Sequence, residues 1–202
     1  MMPEATDSGL ERVALFPLNL VLLPGGLLPL RIFEPRYQRM VSECLRRDEA
    51  FAVAAIIDGP EAGGVAITAH FGTLARIIDW EQMEDGLLGL LCEGDQSVVL
   101  GEISVEEDRL LRAEIRRLPL AEPHPLPDDL AWLGELLDEL LQRIGPPFDR
   151  LRMARPSADH VANRLTELLP LPIAEKQALL ELGDGLVRLR RLAGVVQPTG
   201  DR

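Results

Sequence analysis

Lysine is almost missing from this chain: Lys176 stands alone against twenty arginines. A nucleotide-binding P-loop needs GxxxxGK followed by Ser or Thr, with the lysine on the phosphates. Here the lysine falls in Glu175-Lys176-Gln177, a helical pattern, so no P-loop is present. A Ser–Lys dyad would have to use the same residue, which the pattern assigns to a solvated helix position. The five serines lie in no GxSxG, and there is no HExxH. Cysteine is also scarce. Cys44 and Cys92 are far apart with no CxxC spacing, which excludes a disulfide framework and predicts two buried thiols in a reducing compartment. His70, His124 and His160 are scattered and have no metal-ligand spacing with either cysteine. The sequence therefore predicts no catalytic residue, no metal and no cofactor. Aromatics make up 4% of the residues, so the core must be built from Leu, Val, Ile and Ala.

Positive charge is in deficit as well. The net charge is −12, with 20 acids and 11 bases in residues 1–120 and 13 acids and 10 bases in 121–202. Neither part is basic, and no Lys/Arg cluster dominates to neutralise phosphates. Nucleic acid and anionic membrane surfaces are thus disfavoured as partners. The N-terminal MMPEATDSGLER has no basic segment leading into an apolar one, so no signal peptide is expected and the predicted location is cytoplasmic. At 202 residues the chain is one large domain or two small ones, long enough to bury about 70% of its unfolded surface.

One stretch organises the rest. Phe16 to Tyr37 reads FPLNLVLLPGGLLPLRIFEPRY, and from Val13 to Leu30 eighteen residues carry no charge. That length would span a bilayer, but Pro17, Pro24, Pro29, Gly25-Gly26 and Asn19 would leave too many backbone groups unpaired in lipid. Short buried strands joined by tight turns, then a helix, satisfy them better. Val13–Phe16 and Leu20–Leu23 read as strands, Pro24-Gly25-Gly26 as a turn, and Leu28, Leu30 and Ile32 as the apolar beat of another strand, with Pro29 marking an edge or bulge. Pro35 opens a helix whose buried face is Phe33, Tyr37, Met40, Val41, Cys44 and Leu45, with Arg36 and Arg39 on the other side.

Downstream, the continuous apolar run Phe51–Ile57 is a buried strand. Phe71–Trp80, Leu87–Cys92, Val98–Val105 and Leu110–Leu118 follow as strands, punctuated by Asp85-Gly86, Gly94-Asp95 and Glu107-Asp108. Then the composition changes: residues 118–127 hold four prolines and read as an extended linker. Helical patterning follows. Asp128 or Asp129 caps a helix carrying Leu133, Leu137 and Leu141, Ser157 caps a second, and 174–182 and 186–193 form two more. The fold class is α+β. A mostly antiparallel β unit with one early helix spans 12–120, a Pro-rich linker 121–127, and a helical bundle 128–195. Residues 1–11 are predicted to fray.

The motifs Leu23-Pro24-Gly25, Leu28-Pro29-Leu30 and Phe33-Glu34-Pro35-Arg36-Tyr37, followed by Phe71–Ile77 (FGTLARI), Glu93-Gly94 and Leu111–Glu114 (LRAE), occur in a familiar order. The chain resembles the N-terminal substrate-binding domain of Lon, the ATP-dependent protease, over residues 12–193. The resemblance implies a PUA-like pseudo-barrel followed by a helical subdomain. It implies a stand-alone, non-catalytic substrate-binding module without the ATPase and peptidase domains. Its partner would be unfolded or peptide-like polypeptide, working with another protease or chaperone. The alternative is a small-molecule or modified-residue site in the same barrel.

The candidate apolar contacts are Leu22, Leu23, Leu27 and Leu28 in the turn region, with Trp80 and Met83 at the Asp85-Gly86 hairpin. Phe33, Glu34, Pro35, Arg36 and Tyr37 are expected to serve architecture, with Phe33 and Tyr37 in the core and Glu34 paired to Arg36.

Overall fold

A computed structural model describes residues 11–120 and 122–196. Residues 1–10 of the segment predicted to fray, residue 121 of the linker and the polar tail from 197 lie outside these; Glu11, the last residue of that segment, instead begins the first strand. Six strands come first, with one helix among them: β1 (Glu11–Leu18), β2 (Leu27–Ile32), α1 (Pro35–Arg47), β3 (Phe51–Asp58), β4 (Ile67–Gln82), β5 (Leu88–Val105) and β6 (Leu111–Arg117). Four helices follow: α2 (Ala131–Ile144), α3 (Ala158–Leu168), α4 (Ile173–Leu180) and α5 (Gly185–Val195). The fold is thus mixed α+β, with a six-stranded sheet and five α-helices among the described residues.

The strand order is β2-β5-β4-β3-β1-β6, and β6 also pairs with β5. That last pairing joins β1, β3, β4, β5 and β6 into a closed circuit. β1 and β3 run parallel, and every other pair is antiparallel. β5 pairs with β4 along one edge and serves two neighbours along the other: Leu88–Glu93 pairs with β2 and Val98–Val105 with β6. It therefore runs unbroken through Gly94-Asp95, which the sequence marks as a turn. A Cβ on Gly94 would lie 2.5 Å from the Leu23 carbonyl oxygen, so this glycine permits a close crossing rather than a reversal.

Both faces of β1 and β3 are buried within the circuit. Ala14 and Phe16 of β1 and Phe51 and Val53 of β3 pack with Tyr37, Met40 and Val41 of α1. The alternate residues Val13, Leu15, Ala52 and Ala54 pack with Leu74, Val98, Leu100 and Ile115. A strand covered on both sides has no polar beat, which is why Phe51–Ala55 is continuously apolar; the predicted buried run ends there, since Ile56 is half-buried and Ile57 exposed. Each fully buried Leu or Phe in these clusters stabilises the fold by about 1.5–3 kcal/mol relative to exposure.

The helical part has its own core, centred on Leu133, Leu137 and Leu141 of α2, Val161 and Leu165 of α3, and Leu189 and Leu192 of α5. Ser157 caps α3 by accepting from the His160 N–H at 3.1 Å, as its position predicts. Neither Asp128 nor Asp129 caps α2. They lie in a single 3-10 turn ahead of it, and Leu130 holds the cap position without a side-chain bond. The proline-rich segment is held against α3, since Ala158 N donates to His124 O at 2.9 Å and His124 N to Asp159 Oδ2 at 2.6 Å. No helix among the described residues is long and apolar enough to cross a membrane.

Candidate functional site

Residues 34–37 pack around the start of α1. Pro35 opens α1, and Glu34 sits at the cap in extended backbone. The sequence pattern puts Arg36 on the solvent side of the helix, but it is buried, at 6% exposure. Its Nη2 lies 2.9 Å from Glu34 Oε2, and its Nη1 donates to the carbonyls of Gly64 and Arg109, both at 3.0 Å. The guanidinium also lies over the Tyr37 ring, 4.6 Å from its centroid, and that ring stacks on Phe16 at 4.0 Å. One arginine thus ties the helix start to two loops. Burial pushes the Tyr37 hydroxyl up to about 12. Phe33 departs from expectation: it is 59% exposed, because it precedes the helix and does not share its buried face.

The turn-region leucines are not an exposed surface. Leu22, Leu23, Leu27 and Leu28 are all buried. Leu20–Leu23, predicted as a strand, pairs with none; it is a buried arm whose backbone bonds to side chains instead. Thr73 Oγ1 donates to Leu22 O at 2.6 Å, and Leu23 N donates to Glu167 Oε1 at 2.7 Å. Arg164 Nη2 donates to the carbonyls of Leu23 and Pro24 at 3.3 and 3.0 Å, and its Nε lies 3.0 Å from Glu167 Oε2. Below the arm, Val21 and Leu23 pack with Ala55, Ala69 and Leu180, where the sheet meets α4. Lys176 is half-buried rather than solvated, with Nζ donating to Glu167 O at 2.6 Å.

The apolar surface lies instead along β2. One groove of about 490 Å³ is formed where Pro29 and Leu30 of β2, Gly89 and Leu91 of β5, and Trp80 of β4 meet Met83 and Pro147. Trp80 is 57% exposed and Met83 half-buried, so these two members of the sequence-derived set lie at one surface. A second groove of about 420 Å³ is lined by Leu18, Leu30, Phe33, Tyr37, Glu61 and Ala62. Pro29, Leu30 and Arg31 belong to both. The sequence reading did not select Leu30, Leu91, Pro147 or Phe33 for this surface. The signal that could have found it is Pro29 inside a strand pattern, which marks a free edge.

Asp79 and Glu81 line the first groove, and Glu84 follows its Met83 in the hairpin turn. These three acids are exposed and form no ion pair among the described residues, whereas Asp85 pairs with Arg31. The thiols of Cys44 and Cys92 are pushed up by burial to about 11 and 12, values at which neither is a nucleophile near neutral pH. Among the described residues, no group of three or more His, Cys, Asp or Glu is placed to hold a metal ion.

The model of the ATP-dependent protease La (LON) substrate-binding domain matches residues 12–197. The crystal structure of a Lon N-terminal domain protein from Xanthomonas campestris superposes with a TM-score of 0.74 at 31% identity, covering 91% of this chain and 98% of that one. The Lon protease of Parabacteroides distasonis is 27% identical over 94% of this chain and 24% of its own length. Protein cereblon of Danio rerio is 32% identical over 63% of this chain and 29% of its own. The chain therefore spans less than a third of the length of these curated relatives. With the match running from the β1 strand to the end of α5, this chain belongs to the LON substrate-binding domain family.

Proposed function

We propose that the chain is a non-catalytic module that binds unfolded or peptide-like polypeptide, built as a PUA-like pseudo-barrel with a helical bundle attached. The observation that carries this reading is the pair of apolar grooves flanking β2, with Trp80 and Phe33 exposed on them. Large exposed aromatics beside a rim of acids suit a partner that is itself partly apolar and varied in sequence. The closed pairing of β1, β3, β4, β5 and β6 supports the barrel reading. The family's own description, a substrate-binding domain of an ATP-dependent protease, supports polypeptide as the ligand class. These 202 residues hold neither a P-loop nor a GxSxG, so the role proposed is capture, with a protease or chaperone acting on what is held.

The test is binding of a permanently unfolded protein, reduced and carboxymethylated lactalbumin, by fluorescence anisotropy. Wild type is expected to bind it in preference to the native form, and Trp80→Ala with Met83→Ala to weaken binding about tenfold. Equal failure to bind both forms would sink the proposal.

A further inference from the structure

β2 pairs with β5 on one side and, among the described residues, with no strand on the other. None of the residues lining the second groove comes from β5; beside β2 they come from β1, Phe33-Glu34, α1 and the Glu61-Ala62 loop. In an antiparallel ladder, alternate residues turn both N–H and C=O to the partner strand, and those between turn both away. Pro29 stands opposite Leu91 and has no N–H to give. A proline holds such a place where its nitrogen faces the free edge. Arg31, two residues on, then turns its N–H and C=O outward as well, and Pro29 adds a carbonyl. Leu27, two residues before Pro29, does the same as Arg31, so the free edge of Leu27–Ile32 offers two donors and three acceptors at a strand's natural repeat. Side-chain space lies on both flanks: Leu18, Phe33 and Tyr37 at one, Trp80, Met83 and Leu91 at the other.

We propose that the bound polypeptide is held as an added strand on the free edge of β2, and that the segment selected is extended, with apolar residues alternating with arginine or lysine. This deepens the polypeptide-binding reading above and rests on it. The backbone bonds supply affinity that is indifferent to sequence, and the two grooves take alternate side chains. Charge selects the basic member. Asp79, Glu81 and Glu84 are exposed and unpaired among the described residues, while Arg31, the cation nearest the edge, is already neutralised by Asp85. The mode also explains why a receptor for many sequences would keep a proline in its edge strand. With the middle one of its three outward donors removed, the edge pairs poorly with a copy of itself.

The probe is a short fluorescein-labelled peptide in which leucine alternates with arginine, together with two versions N-methylated at every second residue, one in each register. All three carry the same side chains and charge. The expected result is that methylation in one register weakens binding by about tenfold or more, the loss of the edge hydrogen bonds, while the other register binds like the parent. Arg31→Pro is expected to match that loss and Arg31→Ala to bind several-fold more tightly than Arg31→Pro. Both variants remove the Asp85 pair, but only proline removes the backbone donor there. Equal binding of the two registers overturns strand addition, and does so on unaltered protein even if Arg31→Pro folds poorly. If Trp80→Ala still weakens the parent peptide in that case, polypeptide capture stands without it. If neither the parent peptide nor unfolded lactalbumin binds, the capture reading fails first. Sedimentation showing a stable dimer that the peptide cannot dissociate would assign the edge to a second copy and overturn the proposal.

Discussion

Glu167 on α3 accepts the backbone N–H of Leu23 at 2.7 Å, a bond between residues 144 apart in the chain. It is half of a clamp, because Arg164 one turn earlier donates to the carbonyls of Leu23 and Pro24. The arm after β1 has no strand partner, so these two side chains do for it what a ladder would. Gly26 completes the fit: a Cβ there would lie 2.2 Å from Glu167 Oε1, whose position is fixed by its own bonds. Arg164→Ala should destabilise the fold by about 3–5 kcal/mol, since it strands a carboxylate and two carbonyls. Gly26→Ala should cost roughly 1–3 kcal/mol through overpacking. Urea unfolding followed by far-UV circular dichroism measures both. A loss below ~1 kcal/mol for Arg164→Ala would remove the clamp from the account.

The same carboxyl sets a pH dependence. Burial pushes Glu167 up to about 7, against the pull of the Arg164 guanidinium. A carboxyl raised in the folded state binds its proton more tightly there than in the unfolded chain. Its contribution is therefore most favourable below the unfolded value, near 4.5, and is lost as pH rises through about 7. Wild-type stability should fall across that window by on the order of 3 kcal/mol from this group. Glu167→Gln cannot titrate and should lose that part of the slope, whatever its absolute stability. Denaturation series on both proteins at several pH values decide it.

Much of the fold was legible because periodicity reports burial directly. The apolar run at Phe51 reveals a strand covered on two faces, and the three-and-four spacing from Tyr37 to Cys44 reveals the inner side of α1. What failed were residues whose surroundings come from distant sequence. Gly94 looks like a turn because glycine permits one, yet here it lets the Leu23 carbonyl approach. Arg36 looks solvent-facing because it is charged, but the loops at Gly64 and Arg109 close over it. Arg164 and Glu167 have the i,i+3 spacing of an ordinary surface pair, and only the arm packed on them buries it. The leucines of that arm misled for the same reason. An apolar run with turns reads equally as contact surface or as core, and the side chains that decide it lie on α3.

Arg36 and Phe33, three residues apart, should behave in opposite ways. Arg36→Ala leaves Glu34, two loop carbonyls and the Tyr37 face without their partner and should cost about 2–4 kcal/mol. Arg36→Lys should recover only part of this, since one ammonium cannot replace a fork reaching both loops. Phe33→Ala removes an exposed ring and should change stability by within about 0.5 kcal/mol, while weakening peptide binding severalfold. Paired melting and anisotropy curves on the three variants test the division. A Phe33→Ala protein that unfolds early and binds normally would reverse the assignment.

Cys44 and Cys92 offer a check on the packing beneath β2. Cys92 stands opposite Leu28 of β2, is fully buried, and shares a core cluster with Cys44 on α1. Burial pushes both thiols up, to about 11 and 12, so two barriers protect them: little thiolate near neutral pH, and no path for the reagent. Ellman's reagent at pH 8 should therefore find almost no reactive thiol in the native protein and two after unfolding. The slow native reaction should report opening of the β2 and α1 packing, because neither sulfur can be reached without it. Arg36→Ala, which loosens α1 at its start, should speed this reaction by about the factor that its stability loss predicts. Phe33→Ala should leave it unchanged. A native rate close to that of a free thiol would mean that α1 does not cover the sheet.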